Sequence, residues 1–280
     1  MNSTLPRACV MGYPVAHSRS PMIHGYWLRQ LGLAGAYELA EITPEAFPEF
    51  ITHLRQHGFV GGNVTVPHKQ TAYQLVNARD EAAEAIGAVN TVWLEGSRLM
   101  GGNSDAHGFI ANLDDCAPGW DITNGHAVII GAGGAARAAA YAIVQRGLKV
   151  SLINRTPAHE EDVARHFPGR VIAAGAFDAL PRVLGTADLL VNCTPLGMHG
   201  KPPLAIDLSP LKATAVVYDV VYVPLETELL AAARAQGHRT VDGLGMLLQQ
   251  AGFGFEKWFG ARPKVTPELR AMIEADLTKR

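Results

Sequence analysis

Nothing in this sequence supports a disulfide framework, a metal cluster, a strongly charged surface or a membrane span. Cysteine is scarce: Cys9, Cys116 and Cys193 are the three in 280 residues. An odd, widely spaced set fits neither paired bridges nor the close pairs of a zinc site, so buried thiols in a reducing compartment are expected. Neither sign of charge prevails. Lys and Arg number 24 against 26 Asp and Glu, a net charge of −2. That leaves no basic field to gather nucleic acid or a lipid surface. The most apolar long window, 126–144, is broken by glycines and carries Arg137, so it does not read as a membrane span. The first twelve residues lack a charged segment followed by an apolar one, and no signal peptide is expected. Repeats and low-complexity stretches are absent too. A cytoplasmic protein acting on small molecules is the class that survives these exclusions.

What is present is a large apolar fraction. Hydrophobic residues make up 48% and charged ones 18%, enough for a sizeable core in a chain whose length points to about two domains. Residues 126–156 organise it. His126-Ala-Val-Ile-Ile130 reads as a buried strand, Gly131-Ala-Gly-Gly134 as a tight turn, Ala135–Arg146 as a helix and Lys149–Ile153 as a second strand. Gly131 suits the tight turn and Gly133 the close approach of a pyrophosphate. Ala136 takes the third position, where a small residue lets helix and strand pack. Backbone N–H groups and the helix dipole then meet the phosphates. At the end of the second strand, an NAD site usually has Asp or Glu. Asn154-Arg155-Thr156 stands there instead. A guanidinium and two hydrogen-bonding groups suit a 2′-phosphate, so NADP is favoured over NAD. About 125 residues precede this unit, room for a domain of their own.

Those residues hold three further stretches with polar groups that a fold alone does not call for. After a short strand, Ala8–Met11, comes Tyr13-Pro-Val-Ala-His17-Ser18-Arg-Ser20-Pro21. Ser20 suits an N-cap and Pro21 the first helical position, which leaves Ser18 without a task. The β-branched run Asn63-Val-Thr65-Val is cut by Pro67 and followed by Lys69. A cation in a first helical turn is opposed by the dipole, so Lys69 is either exposed and harmless or held for a purpose. Gly87-Ala-Val-Asn90-Thr91-Val-Trp93 reads as a strand. After it comes Asn103-Ser104-Asp105, where Asp105 can cap the helix Ala106–Leu113. A helix is expected from Thr43 to Gly58, with His53 and His57 one turn apart. With no third ligand, a solvated face is the better account of that pair than a metal site. Beyond 156, strands and helices alternate, with Asn192–Met198 and Val220–Tyr222 at strand ends. A parallel sheet gathers such ends at one crevice. Gly243 and Gly245 precede a long helix to Phe259 and look like a hinge. A last helix starts behind Thr266.

Taken together, these motifs resemble the shikimate dehydrogenase family. The resemblance rests on Gly12-x-Pro14-x-x-His17-Ser18-x-Ser20-Pro21, Asn63-Val-Thr65-Val-Pro67-His68-Lys69, Gly87-Ala-Val-Asn90-Thr91, Gly102-Asn103-Ser104-Asp105-x-x-Gly108, Gly131–Arg137, Asn154–Thr156, Asn192-Cys-Thr194-Pro-x-Gly197-Met198, Tyr218-Asp-x-x-Tyr222 and Gly243-x-Gly-Met246-Leu-x-x-x-Gln250, in order. It implies an α/β chain of two domains. Residues 1–104 with 245–280 would form the substrate-binding catalytic domain, on a mixed, mostly parallel sheet. Residues 105–244 would form a Rossmann-like NADP domain, with the C-terminal helices returning to the first. It also implies reversible NADP-linked oxidation of shikimate to 3-dehydroshikimate, a step toward chorismate and the aromatic amino acids. Lys69 and Asp105 would be the catalytic pair, since a lysine held in a desolvated cleft exchanges a proton near neutral pH. Ser18, Ser20 and Tyr222 would hold the carboxylate; Thr65, Asn90 and Gln250, the hydroxyls. Gly131, Ala132, Gly133, Gly134 and Ala135, with Asn154, Arg155 and Thr156, would contact NADP, and Val220 and Gly243 would line its nicotinamide. No metal is implied, and a monomer or homodimer is expected. Ser104 stands where threonine is usual, Cys193 where a small residue often sits and Val220 where methionine is common. Those departures bear on the choice among shikimate, quinate and aminoshikimate, and a quinate enzyme using NAD is the alternative.

Overall fold

The structure, a computed structural model, describes residues 5–279. The chain divides into two compact units, one running to Ser104 and resuming at Leu248, the other Asp105–Leu247. The first contains β1 (Arg7–Gly12), α1 (Ser20–Gln30), β2 (Ala36–Glu41), α2 (Phe47–Thr52), β3 (Gly61–Val64), α3 (Lys69–Leu75), β4 (Ala78–Arg79), α4 (Glu81–Ile86), β5 (Thr91–Glu95) and β6 (Arg98–Gly102). The second contains α5 (Asp105–Cys116), β7 (His126–Ile130), α6 (Gly134–Gln145), β8 (Lys149–Ile153), α7 (Pro157–Arg165), β9 (Val171–Gly175), α8 (Leu180–Leu184), β10 (Leu189–Asn192), β11 (Val216–Asp219), α9 (Glu228–Ala235) and β12 (Arg239–Val241). The unit boundary falls inside α10 (Leu244–Phe259), and α11 (Pro267–Leu277) belongs to the first unit.

The first sheet has the order β2-β1-β3-β5-β6-β4. Strand β1 is parallel to both neighbours, β5 runs antiparallel to β3 and β6, and β4 is parallel to β6. Alternate residues of β1 serve opposite faces, as a pleat requires. Cys9 and Met11 pack with Phe47, Ile51 and Leu54. Ala8 and Val10 pack with Trp93 and Trp258. The returning C-terminal segment covers that second face. Trp258 Nε1 donates to the Val92 carbonyl at 2.8 Å, and Trp27 Nε1 donates to that of Lys264 at 3.0 Å. Thr266 caps α11 by accepting from Leu269 N–H at 3.3 Å.

The second sheet is wholly parallel, in the order β12-β11-β10-β7-β8-β9. Numbered from β7, this is 3-2-1-4-5-6 read from the β9 edge, the doubly wound order whose switch point lies between the first and fourth strands. Its central strands are mostly apolar because both faces are covered, and Val128, Ile130, Leu190 and Val217 share one core.

Several local expectations shift. Helix α1 starts at Ser20 itself, so Arg19 rather than Ser20 is its N-cap and no N-cap side chain bonds the helix; the Ser18 hydroxyl accepts the Ser20 N–H at 3.3 Å. Helix α2 is short. Residues 44–46 form a turn, and His53 leaves helical geometry with ψ 23°, so 53–57 continue as turns. Strand β5 begins four residues later than expected, because Gly87 closes α4 in left-handed geometry at φ 73°. Two-residue β4 carries no periodicity to read. Cys116 is exposed rather than buried, and no disulfide joins the described cysteines. Among the described residues, no helix is long and apolar enough to cross a membrane.

One buried group makes stability pH-dependent. His24 of α1 is fully buried and stacks on Tyr37 at 4.0 Å between ring centroids. Burial pushes its imidazole down to about 3 from an ordinary 6.5. Between those values the unfolded chain binds a proton that the folded one refuses. Stability therefore falls as pH drops through that window, by about 1.4 kcal/mol per unit, and His24 adds no pH dependence above it. We expect the urea midpoint to fall between pH 7 and pH 4.5, and His24→Phe, which keeps the stack, to remove about 2–3 kcal/mol of that fall. Equal slopes in both proteins would refute the assignment.

Candidate active site

In the first unit, polar side chains collect where strands end. The loops after β1 and β3 are tied together: Thr65 N–H donates to the Met11 carbonyl at 2.9 Å, and Tyr13 N–H to that of Val66 at 3.1 Å. The approach is close enough that a Cβ on Gly12 would collide with Thr65 Cγ2. Ser18 and Ser20 follow β1, with their hydroxyls 3.2 Å apart. Thr65, half-buried, follows β3. Because β5 is antiparallel, its first residues lie beside the end of β3, with Asn63 opposite Thr91. The end of β6 joins them, with Gly102 opposite Thr91. This topology delivers Asn90 and Ser104 to the same edge as Thr65. Gln250 of α10 reaches it too, since Ser104 Oγ lies 3.1 Å from Gln250 Oε1.

Lys69 is the first residue of α3 and is half-buried. Its position has an anchor that sequence reading missed. His68 stacks on Phe47 at 4.1 Å, and its Nε2–H donates to the Ile42 carbonyl at 2.8 Å. Burial lowers its pKa, so the ring stays a neutral donor. Only the stack and the chain reversal after β2 reveal that role. Asp80 was missed as well. It caps α4 through Ala83 N–H at 2.7 Å and also receives Asn103 N–H at 3.3 Å, just before Ser104. His53 and His57 are exposed and lie 3.4 and 3.8 Å from Glu49 oxygens. No group of three or more metal-binding side chains exists among the described residues.

In the second unit, Asp105 opens α5, where the dipole favours a carboxylate. The strand ends of the parallel sheet carry the rest. Gly131 has φ +114°, and a Cβ there would lie 3.1 Å from the Cys193 carbonyl oxygen, so adjacent strands β7 and β10 demand glycine. Ala132 follows in the same turn. Helix α6 starts at Gly134 with Gly133 as N-cap, no capping side chain and no acid in its first turn, which also holds Ala135. Space is open where Cβ atoms on Gly133 and Gly134 would be. An uncapped helix start with a clear approach fits a pyrophosphate. Asn154 Nδ2 donates to the Thr156 carbonyl at 2.9 Å, which folds the turn and leaves Arg155 and Thr156 exposed. Arg137 is engaged with Asp162.

The loops after β10 and β11 share one buried lock. Asp219 is inaccessible to solvent. Its carboxylate receives Asn192 Nδ2–H at 2.9 Å, Val221 N–H at 3.0 Å and Thr227 Oγ1–H at 2.7 Å. Burial raises its pKa, against the pull of those donors. Asn192 also donates to the Leu196 carbonyl at 3.1 Å and accepts from Thr194 N–H at 2.9 Å. Val220 and half-buried Tyr222 thus sit on a braced loop. A Cβ on Gly243 would collide with the Val220 carbonyl oxygen, and one on Gly245 with Asn112 Oδ1. Close packing explains these two glycines, a reason the hinge reading did not include.

Two family models match the chain. One, the shikimate dehydrogenase substrate binding domain, spans residues 10–92. The other, shikimate / quinate 5-dehydrogenase, spans 117–197. The protein from Methylocella silvestris named shikimate dehydrogenase (NADP(+)) is 54% identical over 279 residues, 100% of this chain and 99% of its own length. Among solved structures, quinate dehydrogenase from Corynebacterium glutamicum in complex with NAD matches with TM-score 0.88 at 31% identity, over 97% of this chain and 99% of that one. Shikimate 5-dehydrogenase from Thermus thermophilus, in complex with NADP(H) and shikimate, matches with TM-score 0.85 at 35% identity, over 98% and 100%.

Removing the Asp219 carboxylate would strand three buried donors. We expect Asp219→Ala to cost about 2–4 kcal/mol, read as a lower urea midpoint at pH 7. A loss under about 0.5 kcal/mol would show that the lock is dispensable.

Proposed function

The chain belongs to the shikimate dehydrogenase family, and on that premise we propose that it interconverts shikimate and 3-dehydroshikimate with NADP, using the residues gathered at its strand ends. One observation carries the reading: Ser18, Ser20, Thr65, Lys69 and Asn90, separate in sequence, share one edge of one sheet. Residues 1–104 with 245–280 act as the substrate domain, and 105–244 as the NADP domain.

In the forward direction a ring carbon loses hydride and its hydroxyl loses a proton. Bound at Gly131–Ala135 and Asn154–Thr156, NADP would supply the hydride acceptor, and its reduced form the donor for the reverse direction. Lys69 takes the hydroxyl proton, and Asp105 is the second catalytic residue. Ser18, Ser20 and Tyr222 donate to the substrate carboxylate. Thr65, Asn90 and Gln250 meet the ring hydroxyls. An analogue lacking a hydroxyl would leave one of them unpaired, which is how such a set discriminates. Gly131–Ala135 bind the pyrophosphate through backbone N–H groups. Asn154, Arg155 and Thr156 hold the 2′-phosphate. Val220 and Gly243 flank the nicotinamide. A monomer or homodimer in the cytoplasm completes the reading.

Purified protein offered shikimate or quinate, each with NADP or NAD, tests it directly. NADPH formation from shikimate should dominate; preference for quinate with NAD would overturn it. Lys69→Ala should lower kcat at least about 100-fold, the scale of a lost acid–base group. Near-normal turnover would remove Lys69 from the chemistry. Arg155→Ala should lower kcat/KM for NADP about tenfold or more while sparing NAD, since a charge-assisted phosphate contact is lost. An equal loss with both cofactors would place Arg155 elsewhere.

A further inference from the structure

We propose that Ser104 is a positioning residue: it completes a one-way chain of buried hydrogen bonds from Tyr37 that fixes which way the Asn90 and Gln250 amides face, and so sets substrate affinity. The consequence for substrate rests on the function proposed above; the chain itself does not.

Proton accounting gives the direction. Asn90 Oδ1 receives the Ser104 N–H at 2.8 Å and the Thr91 hydroxyl at 2.9 Å. A carbonyl oxygen has two lone pairs, and both are now taken. The Ser104 hydroxyl lies 3.2 Å from that oxygen and 3.1 Å from Gln250 Oε1. It has one proton, so the proton goes to Gln250. Ser104 Oγ in turn accepts from Asn90 Nδ2 at 3.1 Å. Going back along the chain, the Thr91 proton is committed to Asn90, so Thr91 Oγ1 accepts from Asn63 Nδ2 at 3.2 Å. Asn63 Oδ1 accepts the Tyr37 hydroxyl at 2.6 Å. Five bonds point the same way: Tyr37 to Asn63, to Thr91, to Asn90, to Ser104, to Gln250.

Every member is buried and uncharged. The origin is fixed twice over. The Tyr37 ring stacks on His24, and burial holds its phenol well above the ordinary range, so it remains a donor. At the far end, a flipped Gln250 amide would set a donor against Ser104, whose proton would then have only the filled Asn90 oxygen to approach. That misfit leaves a buried group unpaired. Thr91 Oγ1 and Ser104 Oγ are 3.3 Å apart, but both protons are used elsewhere. In a low-dielectric interior such a chain polarises along its length. Ser104 is the link through which Asn90 sets Gln250, two side chains on different elements that the sequence reading treated as independent.

The test uses the full-length protein. Ser104→Ala should raise the KM for shikimate about tenfold with kcat within about twofold and the KM for NADP unchanged, the signature of lost uniform binding. Ser104→Thr, which keeps the hydroxyl, should retain wild-type values. In a Gln250→Ala background the alanine change should raise KM by less than it does alone. Should Ser104→Ala fail to fold, Tyr37→Phe keeps the ring on His24 and should give the same shift at smaller size. A fall in kcat at constant KM, or full additivity with Gln250→Ala, would overturn the proposal. The second readout needs no substrate: Ser104→Ala should shift the side-chain amide NMR signals of both Asn90 and Gln250, and Ser104→Thr should not. Unchanged signals would overturn the chain whatever the protein turns over. Wild-type protein inert toward shikimate would overturn the proposed function, while the amide signals still decide the chain.

Discussion

Where a strand stops, its hydrogen-bond ladder stops too, and buried backbone groups beyond it must find other partners. In this protein asparagine side chains supply them. Asn192 joins the end of β10 to the Leu196 carbonyl and the Thr194 N–H. Asn90 holds the Ser104 N–H, Asn103 the Ala88 carbonyl, and Asn77 the Leu99 N–H. Asn112 Nδ2 donates to the Asp242 carbonyl, and Asn154 Nδ2 to that of Thr156. An amide is suited to the task because it carries a donor and an acceptor on one short, uncharged arm. A carboxylate could serve only donors and would bring a charge that burial penalises. Loops braced this way keep their polar side chains in place without being covered by other chain.

This constraint explains why the site residues sit where they do. Lys69 and Asp105 both open helices, yet the dipole treats them oppositely. It supports the carboxylate and opposes the cation. Lys69 is placed there by its neighbour, since His68 is pinned between Phe47 and the Ile42 carbonyl. The unfavourable placement is thus imposed by packing at the preceding residue. The second unit achieves a similar result with the charged Asp219, which satisfies three donors at once and so tolerates burial.

Much of this was legible in the residue order. The alternation of apolar strands with amphipathic helices, the glycine turn at 131 and the acid-free Asn154-Arg155-Thr156 ending are local signals, and the parallel sheet follows from them. The failures are also physical. Ser18 and Ser20 are equally good local acceptors, and only the backbone path after Val15 decides that Ser18 receives the N–H. The strand expected from Gly87 starts at Thr91 because the preceding helix needs Gly87 in left-handed geometry. Asn63, His68 and Thr91 stand within recognisable motifs, but the partners they and Tyr37 bond to cannot be read from the residue order. Each depends on which residue the register sets opposite, and a one-residue slip would reverse the face. Gly243 and Gly245 read as a hinge in the sequence, where a packing reason for glycine is not visible: the Val220 carbonyl and the Asn112 amide occupy the space a Cβ would need.

Both units use a carboxylate near a strand end, Asp80 at Asn103 in the first and Asp219 in the second, but the first adds a neutral chain from Tyr37 to Gln250. Shikimate is a carboxylate with several hydroxyls. A buried negative charge beneath its site would repel it across an interior that screens poorly. The chain from Tyr37 to Gln250 is neutral along its whole length, so it orients donors without adding a charge of its own. Lys69, the residue proposed for the proton, opens α3 after β3. Asp219 is tolerable in its own unit because Asn192, Val221 and Thr227 all direct donors at it. On the proposed function, binding and proton transfer would fall to different residues, with Ser104 bearing on affinity and Lys69 on rate.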